Sequence, residues 1–233
     1  MRVLSLIHGA NARGALFDDV VREHGHTLEE WSLAWETPPP RPVDDYDAVL
    51  VFGGSMHADQ DDRHPWLQEE TFLLQRILGS HQPVLGVCLG AQLLARAAQA
   101  PVMAVPEPEI GWYDVELSPE AENDPVLGVL PQRFSAFQWH YYTHALPAGA
   151  VELARSEACI QAFRLGDLAW GVQFHPEVTQ AQIDSWLADE DDRPANADAI
   201  AEESRERIGE WNALGRTLCA AFVETAALVP QRS

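Results

Sequence analysis

PVLGVC (83–88) runs directly into LGAQLLARAAQA (89–100), with no linker between an apolar strand-like run and a helix-like one. A chain built this way must turn from strand to helix in almost no space. The pattern recurs along the N-terminal part. RVLSLI (2–7) precedes ALFDDVVREHG (15–25), and YDAVLVFGGS (46–55) precedes WLQEETFLLQRILGS (66–80), whose apolar residues recur at three- and four-residue intervals before a glycine stop. TLEEWSLAW (27–35) carries a further strand, PPPRPVDD (38–45) a proline-rich connection, and DDRHPWL (61–67) a helix start with His64 before Pro65. Short apolar strands alternating with helices predict a mostly parallel sheet covered on both faces.

From about 102 to 175 the character changes to VMAVP, GWYDVELS, RFSAFQWH, VELARS, CIQAFRLG and LAWGVQFH, read as a small antiparallel extension plus the last core strand. Helical stretches follow at 179–188 and 199–228, and the acidic DEDDRPANAD (189–198) between them reads as a solvated loop rather than a cation or partner site. A chain of 233 residues with 46% hydrophobic residues buries a substantial core, so one domain is expected over 1–233, with a core to about 180 and a helical extension to about 228.

Charge and composition remove several function classes. With 36 acidic against 15 basic residues, the net charge of −21 repels phosphate backbones and anionic lipid, so neither nucleic acid nor a membrane is an expected partner. The sequence has no lysine, which excludes Schiff-base and P-loop lysine chemistry. Cys88, Cys159 and Cys219 form no CxxC pair, and their odd number suits reduced thiols and a cytoplasmic protein. Neither a secretory signal nor a membrane-spanning run is expected.

GVCLGAQ (86–92) has the form of a nucleophile elbow, in which glycines on either side let a sharp turn lift the central side chain above the sheet. Cys88 then stands at the positive end of the following helix, which favours thiolate. A buried structural cysteine at a tight junction remains the alternative for this heptapeptide alone. WGVQFHPEVT (170–179) supplies what a thiolate needs: His175 at a strand end as base, and Glu177 two residues on to orient it, although a lone histidine there would read as structural. Candidate donors for a developing oxyanion are the backbone N–H of Leu89 and that of Gly54, in the Gly53–Gly54 pair after a parallel strand, for which a plain turn is the alternative.

In their order and separations, GGS (53–55), GVCLGAQ (86–92) and FHPE (174–177) resemble the class I (triad) glutamine amidotransferases, above all stand-alone members related to the GMP synthase glutaminase domain. The resemblance covers roughly residues 1–180. It implies a flavodoxin-like three-layer αβα sandwich, Cys88 as nucleophile, His175 and Glu177 as its partners, and a γ-glutamyl thioester formed from glutamine or a γ-glutamyl amide. It needs no cofactor. Gln92 matches the motif glutamine beside the substrate, and EIGW (109–112) and QAFRLG (161–166) look like segments flanking that pocket. FQWHYYTHALP (137–147) departs from the family: His140 is retained, but Tyr142 stands where many relatives carry aspartate. Gly53, Gln92, His140, Tyr141 and Tyr142 are therefore the substrate-binding candidates, with Met56 and His57 at the mouth.

No metal site is expected, because His140 and His144 lack both a helix and a third ligand. Trp112, Trp139 and Trp170 read as core, and Cys159 and Cys219 as structural, without a charged setting. Three functions are compatible with these residues: an amidotransferase supplying ammonia to a separate synthetase, a free-standing γ-glutamyl hydrolase or peptidase, and a non-catalytic binding protein on the same fold.

Overall fold

The computed structural model describes residues 1–189 and 192–230. Among these residues nine strands form one sheet: β1 (Arg2–Leu6), β2 (Thr27–Trp31), β3 (Ala48–Val51), β4 (Val84–Val87), β5 (Val102–Leu117), β6 (Arg133–His144), β7 (Ala150–Arg155), β8 (Ile160–Leu165) and β9 (Ala169–Val172). Five α-helices accompany them: α1 (Leu16–Glu23), α2 (Trp66–Gly79), α3 (Leu89–Ala97), α4 (Gln180–Leu187) and α5 (Ala197–Ala227). No helix among the described residues is long and apolar enough to cross a membrane.

The strand order is β2-β1-β3-β4-β9-β8-β7-β5-β6. Pairing is parallel from β2 to β9 and antiparallel from β9 to β6. The sheet is therefore evenly mixed rather than mostly parallel, and the antiparallel part is no small extension. The reason lies in β5, where VMAVP and GWYDVELS are one strand. Its register with β6 shifts between Ala104 and Glu109. Pro106 and Pro108 fall inside that shift, where a residue without an N–H breaks the ladder but not the strand.

Alternation along the parallel strands produces two cores. Ala48 and Leu50 of β3 pack with Phe17, Val21, Leu218 and Phe222 from α1 and α5, whereas Val49 and Val51 pack with Leu67, Leu74, Leu93 and Leu94 from α2 and α3. Successive side chains on a strand face opposite ways, so each strand feeds both layers. This is the three-layer arrangement the sequence predicts.

The last helix does more than cover the sheet. Trp211 on α5 donates its indole N–H to the His175 carbonyl at 2.8 Å, and Asn212 donates to the Val178 carbonyl at 2.7 Å. A capping box at Thr179 starts α4, with the Thr179 and Gln182 side chains each meeting the other's backbone. The segment leaving β9 is thus clamped from α5 and fixed at the start of α4.

Candidate active site

The strand-to-helix turn leaves its mark on the backbone. Cys88 has φ 51° and ψ −109°, a left-handed conformation that non-glycine residues rarely adopt. The turn is held at both ends, with Cys88 N–H donating to Val172 O at 2.8 Å and Gln92 N–H to Cys88 O at 3.1 Å. No side chain fits beside it: a Cβ on Gly90 would lie 2.1 Å from the Val51 carbonyl oxygen. Only glycine allows α3 to come this close to β3, and that closeness aims the Cys88 sulfur outward at the ends of the parallel strands.

Cys88 opens onto a cavity of about 300 Å³. All ten sequence-predicted site residues line it: Cys88, His175, Glu177, Gly53, Gly54, Leu89, Gln92, His140, Tyr141 and Tyr142. His175 Nδ1 lies 2.8 Å from Glu177 Oε1, with both side chains almost wholly buried. Its Nε2 is buried and meets no hydrogen-bond partner among the described residues. Burial disfavours the imidazolium, but the Glu177 carboxylate and then the Cys88 sulfur outweigh it and raise the His175 pKa. Leu89 is the first residue of α3, so its N–H has no acceptor within the helix.

The pocket wall is a hydrogen-bonded layer. Gln92 donates its amide N–H to Tyr142 O at 2.8 Å and to Gln173 Oε1 at 3.2 Å. The His57 ring stacks on Tyr142 at 4.2 Å. His140 does not pair with His144. Its Nδ1 lies 3.0 Å from Tyr142 O and its Nε2 3.0 Å from Glu109 Oε2. Glu109, His140 and Cys159 bring possible metal-ligating atoms within 4.8 Å of one another. Those atoms already satisfy each other, since Glu109 Oε2 also accepts from Gln161 at 2.8 Å and from the Cys159 thiol at 3.7 Å. Cys159 thus has a charged neighbour, contrary to expectation, and burial assisted by Glu109 pushes its thiol up to about 11.

Several lining residues escaped the sequence reading. Trp139, read as core, lines the cavity and donates its indole N–H to Asp192 at 2.9 Å. The Tyr141 hydroxyl donates to the other Asp192 oxygen at 2.6 Å. The acidic stretch after α4 is therefore not simply solvated: Asp189 and Asp192 stand on the rim, while Glu190 and Asp191 lie outside the described residues. Nothing in its composition signals this contact. His8 also lines the cavity. It follows β1 at the end of the sheet where parallel strands place their sites, and that position was the available signal.

A family model described as glutamine amidotransferase class-I matches residues 19–190. Over 193 residues the chain is 28% identical to the glutamine amidotransferase-like protein YfeJ of Salmonella typhimurium, covering 80% of each. It is 34% identical over 152 residues to a glutamine-hydrolyzing GMP synthase subunit from Sulfurisphaera tokodaii, covering 62% of this chain and 76% of that one. The crystal structure of a glutamine amidotransferase from Thermotoga maritima matches with a TM-score of 0.87 at 30% identity, covering 96% of this chain and 98% of that one. The chain belongs to the class-I glutamine amidotransferase family, and the chemistry of that family is hydrolysis of the glutamine side-chain amide.

Proposed function

We propose that this protein hydrolyses a γ-glutamyl amide through a Cys88 thioester, with His175 moving the protons and Glu177 orienting it. The Cys88 thiolate adds to the γ-carbonyl carbon, and the carbonyl π electrons pass to oxygen, where Gly54 N–H and Leu89 N–H receive the charge. Collapse expels the amine, protonated from His175 Nε2, and leaves the thioester. His175 then takes a proton from water as its oxygen attacks the thioester. The products are glutamate and ammonia or an amine, with Cys88 restored. The observation that carries this reading is the left-handed Cys88 turn opening on the same cavity as the buried His175–Glu177 pair. Glutamate release from glutamine that vanishes in Cys88→Ala supports it; equal release from that variant contradicts it.

As an amidotransferase, the chain would supply ammonia to a separate synthetase, as its likeness to a GMP synthase subunit suggests. A second reading, a free-standing γ-glutamyl hydrolase, is favoured by the rim. Tyr142 replaces the family aspartate, Asp189 and Asp192 place carboxylates at the mouth, and no arginine lines the cavity among the described residues. Such a mouth suits a leaving group that carries a further ammonium. Faster turnover of γ-glutamyl diamines than of glutamine selects this reading, and the reverse order selects the first. The three free cysteines fit a reducing compartment such as the cytoplasm.

A further inference from the structure

Besides His175–Glu177 and His140–Glu109, a third buried imidazole–carboxylate pair flanks the Gly53–Gly54 turn, and the chemistry above does not use it. His8 lies just beyond β1 and Glu70 on the inward face of α2, each side chain 1% exposed. His8 Nδ1 is 3.0 Å from the Gly53 carbonyl oxygen, and Nε2 is 3.0 Å from both Glu70 oxygens. A carbonyl oxygen only accepts, so Nδ1 carries a hydrogen, and Nε2 shares a further proton with the Glu70 carboxylate. Burial opposes a charged ring here, yet Glu70 outweighs it and His8 holds its proton more tightly than a free imidazole. Trp66 stacks on the ring at 5.5 Å. The fit around the turn is tight, since a Cβ on Gly54 would lie 2.8 Å from the His8 Cβ.

The Gly53 C=O and the Gly54 N–H are two ends of one peptide unit. A charge-assisted hydrogen bond at the oxygen draws electron density through the conjugated amide and makes the N–H a stronger donor. Among the described residues that N–H donates to no other group, and Gly54 lines the Cys88 cavity. We propose that His8 and Glu70 form a positioning pair that fixes and polarises the Gly53–Gly54 peptide, strengthening Gly54 N–H as the donor to the oxyanion formed when Cys88 is acylated. The inference rests on the oxyanion role given to Gly54 above, but on no particular substrate.

Two reactions at Cys88 separate this role from a structural one. In acylation by p-nitrophenyl acetate the sulfur adds to the ester carbonyl, an oxyanion forms, and p-nitrophenolate leaves. In alkylation by iodoacetamide the sulfur displaces iodide and no oxyanion forms. With Cys88→Ala as background, His8→Asn and Glu70→Gln should each lower the acylation rate about tenfold or more while alkylation changes less than about twofold. Loss of both rates in proportion, or of neither, overturns the proposal, as does a wild-type Cys88 that alkylates but is not acylated. Should one variant fail to fold, the other decides. Nitrogen NMR of the unaltered protein is independent of both, and a His8 Nδ1 without a hydrogen overturns the proposal directly. A wild type that acylates but releases no glutamate from any γ-glutamyl amide breaks the proposed function and leaves the rate ratio to judge this inference.

Discussion

His175 and Glu177 are separated by a single proline and unequal in the chemistry proposed for them. His175→Ala removes the group that moves protons, and should lower kcat by about 10²- to 10⁴-fold in a steady-state glutamate assay without unfolding the protein. Glu177→Gln keeps a hydrogen-bonding side chain at Nδ1 but removes the leading attraction that raises the His175 pKa, so its loss should be smaller. Equal losses would contradict the division of roles. Asp18, on α1, offers a test of stability alone. It is 6% exposed, its Oδ1 lacks a partner among the described residues, and burial, assisted by Glu30, pushes its pKa up to about 6. The folded state therefore binds this proton more tightly than the unfolded state does, and stability falls as pH rises from about 4 to about 6. Asp18→Asn should gain about 1–3 kcal/mol over wild type above that window and little below it, measured by urea unfolding at pH 4 and pH 8. A gain independent of pH would remove Asp18 from the explanation.

At the level of elements, α5 acts on the site through the segment between β9 and α4. Trp211 packs against Phe134, Phe174 and Trp112 as well as holding the His175 carbonyl. Trp211→Ala should cost about 3–5 kcal/mol in chemical denaturation and lower kcat more than it raises KM, because the lost support lies behind His175. Unchanged kcat in folded protein would mean that α5 only covers the sheet. The parallel strands and the elbow were legible because each is a short apolar run whose ends carry punctuation that local physics explains. The β5 strand was not, since Pro106 and Pro108 look like a break and only pairing with β6 carries the chain through them. The clamp from α5 was equally hidden: a helix pattern records an apolar face, not the backbone carbonyl that one indole on it will meet.

For the whole molecule, the net charge of −21 and the acidic rim act in the same direction on a cationic substrate. A γ-glutamyl diamine should show KM rising about two- to fivefold between low and physiological salt, while KM for glutamine barely moves. Equal salt dependence for both would remove the rim from substrate choice. The long-range charge was readable from composition, whereas its focus at the cavity was not, because Asp192 reaches the site through Trp139 and Tyr141 across the tertiary fold. The most direct test of the central claim is glutamate release by the purified chain alone, from glutamine and from a series of γ-glutamyl amines, beside Cys88→Ala. At least one of them should turn over, and that turnover should disappear with the Cys88 sulfur. Turnover that survives the substitution, or none from folded protein whose Cys88 alkylates readily, would contradict the claim.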